Sequence, residues 1–331
     1  VGAAVGDAIA FGDQHVHIQG HTHMACESHL SHSGQQAAVA AVANEIDRQG
    51  LQLARLATFN TIGTPGTLPT TQALALAAMT GVNQRLDEMG APRKDKRRAF
   101  IMNPAMNGAT VQGMAGMFNG QSTLTKQFES GMMVDSLGLA YAMDQNVDVH
   151  TNGTQAVTGA AVAAGLSGSS ITCAALAGTI TRGTKISFPG VFAVNPQSRQ
   201  STGTLAQFVI TADLAAGATA LPISPAIVPS GAFQNVSNAT TAANFTIFGT
   251  ASGAYNANVA YHKDAFTLAM VPMWAPPGGK GVIDVAQETY KGFTIKVTEF
   301  YDGVNDNSIM RLDVLFGWAA TYPELACIYA T

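Results

Sequence analysis

Charge is what this 331-residue chain has least of. Its 17 basic and 21 acidic side chains make up 11% of the residues, where about 25% is usual for soluble domains. With a formal net charge of −4, the chain is excluded from the proteins that coat nucleic acid with a basic surface, since that binding neutralises many phosphates with Lys and Arg. Any DNA contact is expected to be local. Cysteine is scarce too: Cys26, Cys173 and Cys327 are odd in number and widely spaced, which fits reduced thiols rather than a disulfide framework. Long apolar runs are missing. The charge-free stretch from Ala156 to Ile180 is built of Ala, Gly, Ser and Thr and lacks the Leu, Ile and Phe density that draws a helix into lipid, so no membrane span is expected. Val1 to Phe11 carries neither a basic flank nor a long apolar core and does not read as a secretory signal. Aromatics are few at 7%, yet the hydrophobic fraction is 47%, enough burial to exclude a disordered chain. At roughly 150 residues per domain the length predicts two domains.

The charge deficit is local, and this marks the organisation. Between Val149 and His262 the charged side chains are Arg182, Lys185, Arg199 and Asp213. The segment is dense in Thr, Ser, Gly and Ala, is punctuated by prolines, and holds short β-favouring runs at Lys185–Phe188, Gln207–Thr211 and Phe245–Phe248. It reads as a compact β domain inserted into a mixed one. Before it the pattern is helical. Ser33 with Gln36 forms a capping box, and Val39, Val42, Ile46, Leu53 and Ala57 follow as an amphipathic stripe that Gly50 is expected to bend or interrupt. A second helix is predicted from about Thr70 to Met89, capped by Thr70 or Thr71, with Leu74, Ala77, Ala78, Val82 and Leu86 on its apolar face and Gly90 and Pro92 stopping it. Phe100–Met102 reads as a short strand leading through Asn103-Pro104 into a further helix. After the insertion, Phe293, Ile295 and Val297 alternate with Thr294, Lys296 and Thr298. Beyond a turn at Asp302-Gly303, Met310, Leu312, Val314 and Phe316 alternate with Arg311, Asp313 and Leu315. This predicts a long antiparallel hairpin with one apolar face.

Chemistry is harder to find. Six of the eight histidines, His15, His17, His21, His23, His29 and His32, crowd one short stretch with Asp13, Cys26 and Glu27. Two imidazoles on one strand face, and an i, i+3 pair, are arrangements that bind metal. A metal-dependent hydrolase is therefore the rival reading, but it needs later ligands and a base. Downstream the histidines are His150 and His262. Arg93, Lys94, Lys96, Arg97 and Arg98 form a basic run after a helix stop, which can contact phosphate or simply sit on an exposed loop near a helix C-terminus. Pro277 to Gly281 encloses a lysine in glycines without the spacing of a phosphate loop. Asn152-Gly-Thr and Asn244-Phe-Thr match glycosylation sequons, a tripeptide common by chance. The methionines of Met106 to Met133 read as adaptable packing. No catalytic, cofactor-binding or metal residue is assigned. Low charge and abundant small residues suit instead a surface buried against other copies of the chain, because interface cores are depleted in charge.

Several stretches carry a resemblance: Leu86-Asp-Glu-Met-Gly-Ala-Pro92, Met143-Asp-Gln-Asn-Val147, His150-Thr-Asn-Gly-Thr154, Asn195-Pro-Gln-Ser-Arg-Gln-Ser-Thr-Gly203, His262-Lys-Asp-Ala-Phe266, and Arg311-Leu-Asp-Val-Leu-Phe-Gly-Trp318 through Pro323-Glu-Leu-Ala326. In order from about residue 37 to the C-terminus, they resemble major capsid proteins of tailed bacteriophages, of the P twenty-two-like coat protein family with an inserted domain. The stretch from His15 to His32 departs from that pattern. The resemblance implies an α+β chain with the Hong Kong ninety-seven-type capsid fold: a peripheral domain with a spine helix, an axial domain and an inserted β-rich domain. It implies a division into an N-terminal segment at 1–33, peripheral domain with spine helix at 34–99, axial domain at 100–148, inserted domain at 149–254, and a return at 255–331 to the peripheral hairpin. It further implies no enzyme activity and no cofactor. The implied partners are many copies of the chain as hexamers and pentamers, a scaffolding protein during assembly, a portal protein, packaged double-stranded DNA on the inner face and, optionally, a decoration protein, with no membrane. The implied location is the virion capsid, assembled in the cytoplasm of a bacterial host.

Overall fold

The computed structural model describes residues 32–93, 95–114, 131, 135–274, 282–290, 293–304 and 307–331. They fall into two compact units, one of residues up to Gln49 with Thr267–Ala319, the other of Gly50–Phe266 with Ala320–Thr331.

Helix α1, His32–Ala57, belongs to both. It runs on through Gly50, contrary to the expected interruption, and begins one residue before the Ser33 predicted to cap it. The apolar stripe changes phase there instead. Val42 and Ile46 are buried as predicted, but beyond Gly50 the buried residues are Leu51 and Ala54 rather than Leu53 and Ala57, and Val39 is exposed. The physical reason is a change of packing partner: Val42 and Ile46 join a cluster with Val314 and Phe316, whereas Ala54 joins Ala257, Val259 and Ile328.

The larger unit is built on a mixed sheet. Its path runs β1 (Thr61–Gly63), β17 (Ala326–Ala330), β11 (Ala254–His262), β2 (Arg98–Met102), β3 (Ala140–Met143), and β4 (Val149–Thr151) pairs with the start of β11. The outer pairs β1–β17 and β2–β3 are parallel and the inner ones antiparallel. Two helices cover the sheet. In α2 (Gln72–Glu88) the Thr71 hydroxyl accepts from the Leu74 amide, as an N-cap should, and Gly90 with φ +79° ends the helix in the left-handed region that glycine enters without strain. The buried face is Ala75, Ala78, Met79, Val82 and Leu86, so Leu74 and Ala77, assigned inward from sequence, point outward. From Ala73 to Met79 every residue of the helix is apolar, so its first half is apolar on all sides and the pattern leaves the facing residue undetermined. Helix α3 (Pro104–Met114) starts where the Asn103 side chain accepts from the Met106 amide, with Pro104 at its first position. Met79, Met102, Met106 and Met114 pack together with Phe100 and Leu86, which bears out packing for the two methionines of the Met106–Met133 group that lie among the described residues.

From β4 the chain enters six further strands: β5 (Thr158–Val162), β6 (Gly168–Thr172), β7 (Lys185–Val194), β8 (Ser201–Ile210), β9 (Ala220–Ile227) and β10 (Ala243–Ile247). They order as β5-β10-β7-β8-β9-β6. An antiparallel bridge from Val162 to Cys173 and a 2.8 Å bond from the Ala174 amide to the Ala161 carbonyl bring the two ends together. The sheet thus closes into a barrel through this short contact between its edge strands. Phe188, Phe208 and Phe245 fill it, with ring centroids 5.6 and 6.4 Å from Phe188. Gly159 lies over the Phe245 ring, where an added Cβ would fall 2.3 Å from a ring carbon. Each predicted β run falls on a barrel strand that begins at or before it, with Thr211 and Phe248 just beyond the ends of β8 and β10.

In the smaller unit β12 (Phe266–Met270) pairs with β16 (Phe316–Ala320), and β13 (Val282–Tyr290), β14 (Phe293–Asp302) and β15 (Asn307–Asp313) form a three-stranded sheet. The predicted hairpin is β14–β15, with Asp302 opposite Asn307. Two details correct it. The alternation through Val314 and Phe316 is not one strand, because Phe316 starts β16 in the other sheet. The more buried face of β14 is the polar one, with Thr294, Lys296 and Thr298 all under 8% exposed while Phe293 is 47% exposed. Lys296 tolerates burial because Asp313, its cross-strand partner, lies 3.2 Å away and is itself bridged at 2.7 Å by Arg311. Ile295 packs instead toward Val42, Ile46 and Phe316, and the Trp318 indole donates to the Ile46 carbonyl at 2.9 Å.

Candidate functional site

The barrel meets the mixed sheet and its helices through polar contacts. Among the described residues the barrel's hydrophobic cluster runs from Val162 to Ile247, with Met89, just past the end of α2, packed on it, and the clusters around the sheet contain no barrel residue. Side chains of the barrel satisfy the open ends of neighbouring elements. Lys185, at the start of β7 and 1% exposed, donates from Nζ to the Arg55 carbonyl at 2.7 Å, occupying an acceptor that the last turn of α1 leaves free. Asn195 does the same for α2, donating to the Glu88 carbonyl at 2.8 Å. Thr204 donates to the Glu88 carboxylate and accepts from Arg85 at 2.9 Å.

Around Lys185 lies a buried charged group. Arg55 pairs with Asp148 through Nε and donates from Nη1 to His150 Nδ1 at 2.8 Å. Because a guanidinium only donates, Nδ1 is the acceptor and the proton sits on Nε2, which faces the Thr184 hydroxyl at 3.2 Å. Burial, with Arg55 and Lys185 adding repulsion, lowers the His150 pKa to about 3, so this imidazole is neutral. Burial likewise holds the Lys185 ammonium well below its ordinary pKa, Arg55 contributing. The Tyr255 ring packs against His150 with centroids 5.3 Å apart and the planes tilted by 57°, and its buried hydroxyl has no hydrogen-bond partner among the described residues. Desolvation raises its pKa. One ion pair, Arg55 with Asp148, sits beside a neutral imidazole here, an arrangement that fixes geometry and offers no nucleophile–base pair.

The residues singled out from sequence do not converge. His150 belongs to this junction, whereas His262 pairs with Asp95 at 2.7 Å at the far end of β11. The cluster from His15 to His29 lies outside the described residues, as do Cys26, Lys94 and Pro277 to Gly281. Among the described residues no group of three or more His, Cys, Asp or Glu is placed to hold a metal ion. The basic run splits. Arg98 is fully buried and donates to Asp87, Asn83 and the carbonyls of Ala91 and Pro92, so the exposed-loop reading fails for it. Arg93 pairs with Asp87 at 2.6 Å, and Lys96 and Arg97 are exposed. Asn152, in a sequon, is buried with its amide donating to the carbonyls of Phe248 and Thr250. Lys185, Asn195 and Thr204 were missed as ties, although Lys185 is one of four charged residues in a nearly charge-free segment, a signal in plain view.

The exposed large apolar side chains form the remaining surface feature. Ile283, Phe293, Tyr301, Val304 and Ile309 lie on the three-stranded sheet and its turn, and Val271 and Trp274 precede it. By the strand register Phe293 and Tyr301 share one face of that sheet and Ile309 lies on the other, so apolar side chains are exposed on both of its faces. Among the described residues no helix is long and apolar enough to cross a membrane.

Comparison with known families decides the identity. Residues 24–330 match the model for P22 coat protein, gene protein 5. The chain belongs to the P22 coat protein family. Among solved structures, the chain is similar to a structure titled Mycobacterium phage Che8 (10% identity, TM-score 0.40, covering 90% of this chain). It spans 62% of the Che8 chain's length. It is also similar to the capsid structure of the cyanophage P-SCSP1u (11% identity, TM-score 0.40, 96% of this chain and 72% of that one) and to bacteriophage PhiM1 in its mature capsid (10%, 0.38, 95% and 68%). No curated protein matches.

Proposed function

We propose that this chain is the major capsid protein of a tailed bacteriophage, a structural subunit that does no chemistry and assembles in many copies into an icosahedral shell around double-stranded DNA. The observation that carries the reading is the family match across residues 24–330. The exposed apolar side chains of the three-stranded sheet support it as contact surface between copies.

On this reading the fold is of the Hong Kong ninety-seven type, with α1 as the spine helix, 34–99 in the peripheral domain, 100–148 in the axial domain, 149–254 as the inserted barrel and 255–331 returning to the peripheral hairpin. Subunits form hexamers and pentamers on a scaffolding protein in the host cytoplasm, and the shell takes up DNA through a portal. Electron microscopy of the expressed protein tests this. Closed shells, or sheets and tubes when scaffold is absent, are expected; a discrete small oligomer at every concentration contradicts it.

A further inference from the structure

Strand β1 is three residues long and forms one edge of the mixed sheet. Its inner side is secured: β17 pairs with it in parallel, the Ile328 amide donates to the Asn60 carbonyl at 2.8 Å, and the Asn60 side chain donates to the Glu324 and Ala326 carbonyls. On the outer side, a strand's N–H and C=O groups are a template on which another chain can pair. Those of Thr61, the first residue of the strand, meet one side chain. Gln207, from barrel strand β8, accepts from the Thr61 amide through Oε1 at 2.6 Å and donates from Nε2 to the Thr61 carbonyl at 2.8 Å. A primary amide presents an acceptor and a donor in the manner of a peptide group, so Gln207 takes the place a neighbouring strand would fill. Pro65 follows two residues after the strand and limits its extension.

We propose that Gln207 is an edge guard: it occupies the open side of β1 and prevents an extended segment of a second copy of this chain from adding to the sheet. The barrel thereby has a role beyond its own packing, since holding β8 in place keeps the edge closed. The occupant is a second copy because a shell subunit is crowded by copies of itself, and in that respect the inference rests on the proposed function. The guard itself rests on the Gln207 geometry alone.

Gln207→Leu keeps the bulk of the side chain and removes both hydrogen bonds, whereas Gln207→Glu keeps an acceptor for the Thr61 amide. Amide exchange in the unassembled full-length chain is expected to speed up at Thr61 by about tenfold in Gln207→Leu, the equivalent of one net hydrogen bond, and to stay near wild type in Gln207→Glu, with β7–β8 protection unchanged in both. Under assembly conditions Gln207→Leu is expected to send several-fold more protein into irregular polymer than wild type. Unchanged exchange at Thr61, or faster exchange with no added polymer, overturns the proposal. If Gln207→Leu loses protection throughout the barrel, Gln207→Glu decides. Failing to donate to the Thr61 carbonyl, it must still give more irregular polymer than wild type, and wild-type behaviour refutes the guard. A wild-type chain that forms neither shells nor sheets counts against the proposed function, while the exchange result stands by itself.

Discussion

The burial of Arg98 was hidden from sequence because nothing local distinguishes a cation that folds inward from one on the surface. Arg98 closes a basic run, yet it is 1% exposed and ties Asp87 to the loop after α2. Arg98→Met is expected to cost about 3 kcal/mol, the low end for breaking a buried pair, because Asp87 stays partly solvated and keeps Arg93. Urea denaturation of the unassembled chain measures it. His150 makes a pH prediction. Its folded pKa is about 3 against an ordinary 6.5, so between those values the unfolded chain holds a proton that the folded chain does not. Stability from this group is full above 6.5 and falls with pH below it, by about 1.4 kcal/mol per unit down to about pH 3. His150→Gln, which does not titrate, should flatten the stability–pH curve by that amount between pH 6 and 4, as read from urea midpoints. An unchanged slope means the imidazole is not held neutral.

Elements were more legible than the contacts between them. The capping residue Thr71, the stop at Gly90 and the Asn103-Pro104 helix start were readable because they depend on local backbone chemistry. The β content of the low-charge segment followed from its Thr, Val, Ile and Phe runs. Barrel closure did not, since it rests on pairing Val162 with Cys173, and register between distant strands is not written in either one. The inverted burial of β14 was illegible because its alternation is real but the burial of Lys296 depends on Asp313 across the hairpin. Asp313 tests that: burial raises its pKa, but bonds from Arg311 and Lys296 outweigh this and lower it. Asp313→Asn should therefore destabilise the unassembled chain at neutral pH, and by less as pH falls through the carboxylate range, in urea titrations. The separation of clusters gives a further expectation. Phe188→Ala empties the barrel centre and should cost about 3–5 kcal/mol there. Because β11 and β17 pack in other clusters, hydrogen exchange should show faster β7 and β8 amides with those two strands still protected.

For the whole molecule, scarce charge has two different accounts. In the barrel, polarity comes from hydroxyls and amides that bond their own loops, as Thr240 does to the Ala163 carbonyl and Thr241 to that of Pro189. In the smaller unit, several large apolar side chains are exposed instead, and the proposed function assigns them to contacts between copies. The family resemblance was legible in the motifs, and the match over residues 24–330 bears it out; the exposure of apolar residues on the three-stranded sheet was not, since their burial depends on pairing between separate strands. The most direct measurement is cryo-electron microscopy of particles assembled from this chain. The account predicts closed icosahedral shells in which the three-stranded sheet of each subunit lies against a neighbouring copy. Particles in which that sheet faces solvent, or a preparation that never exceeds a small oligomer, would contradict it.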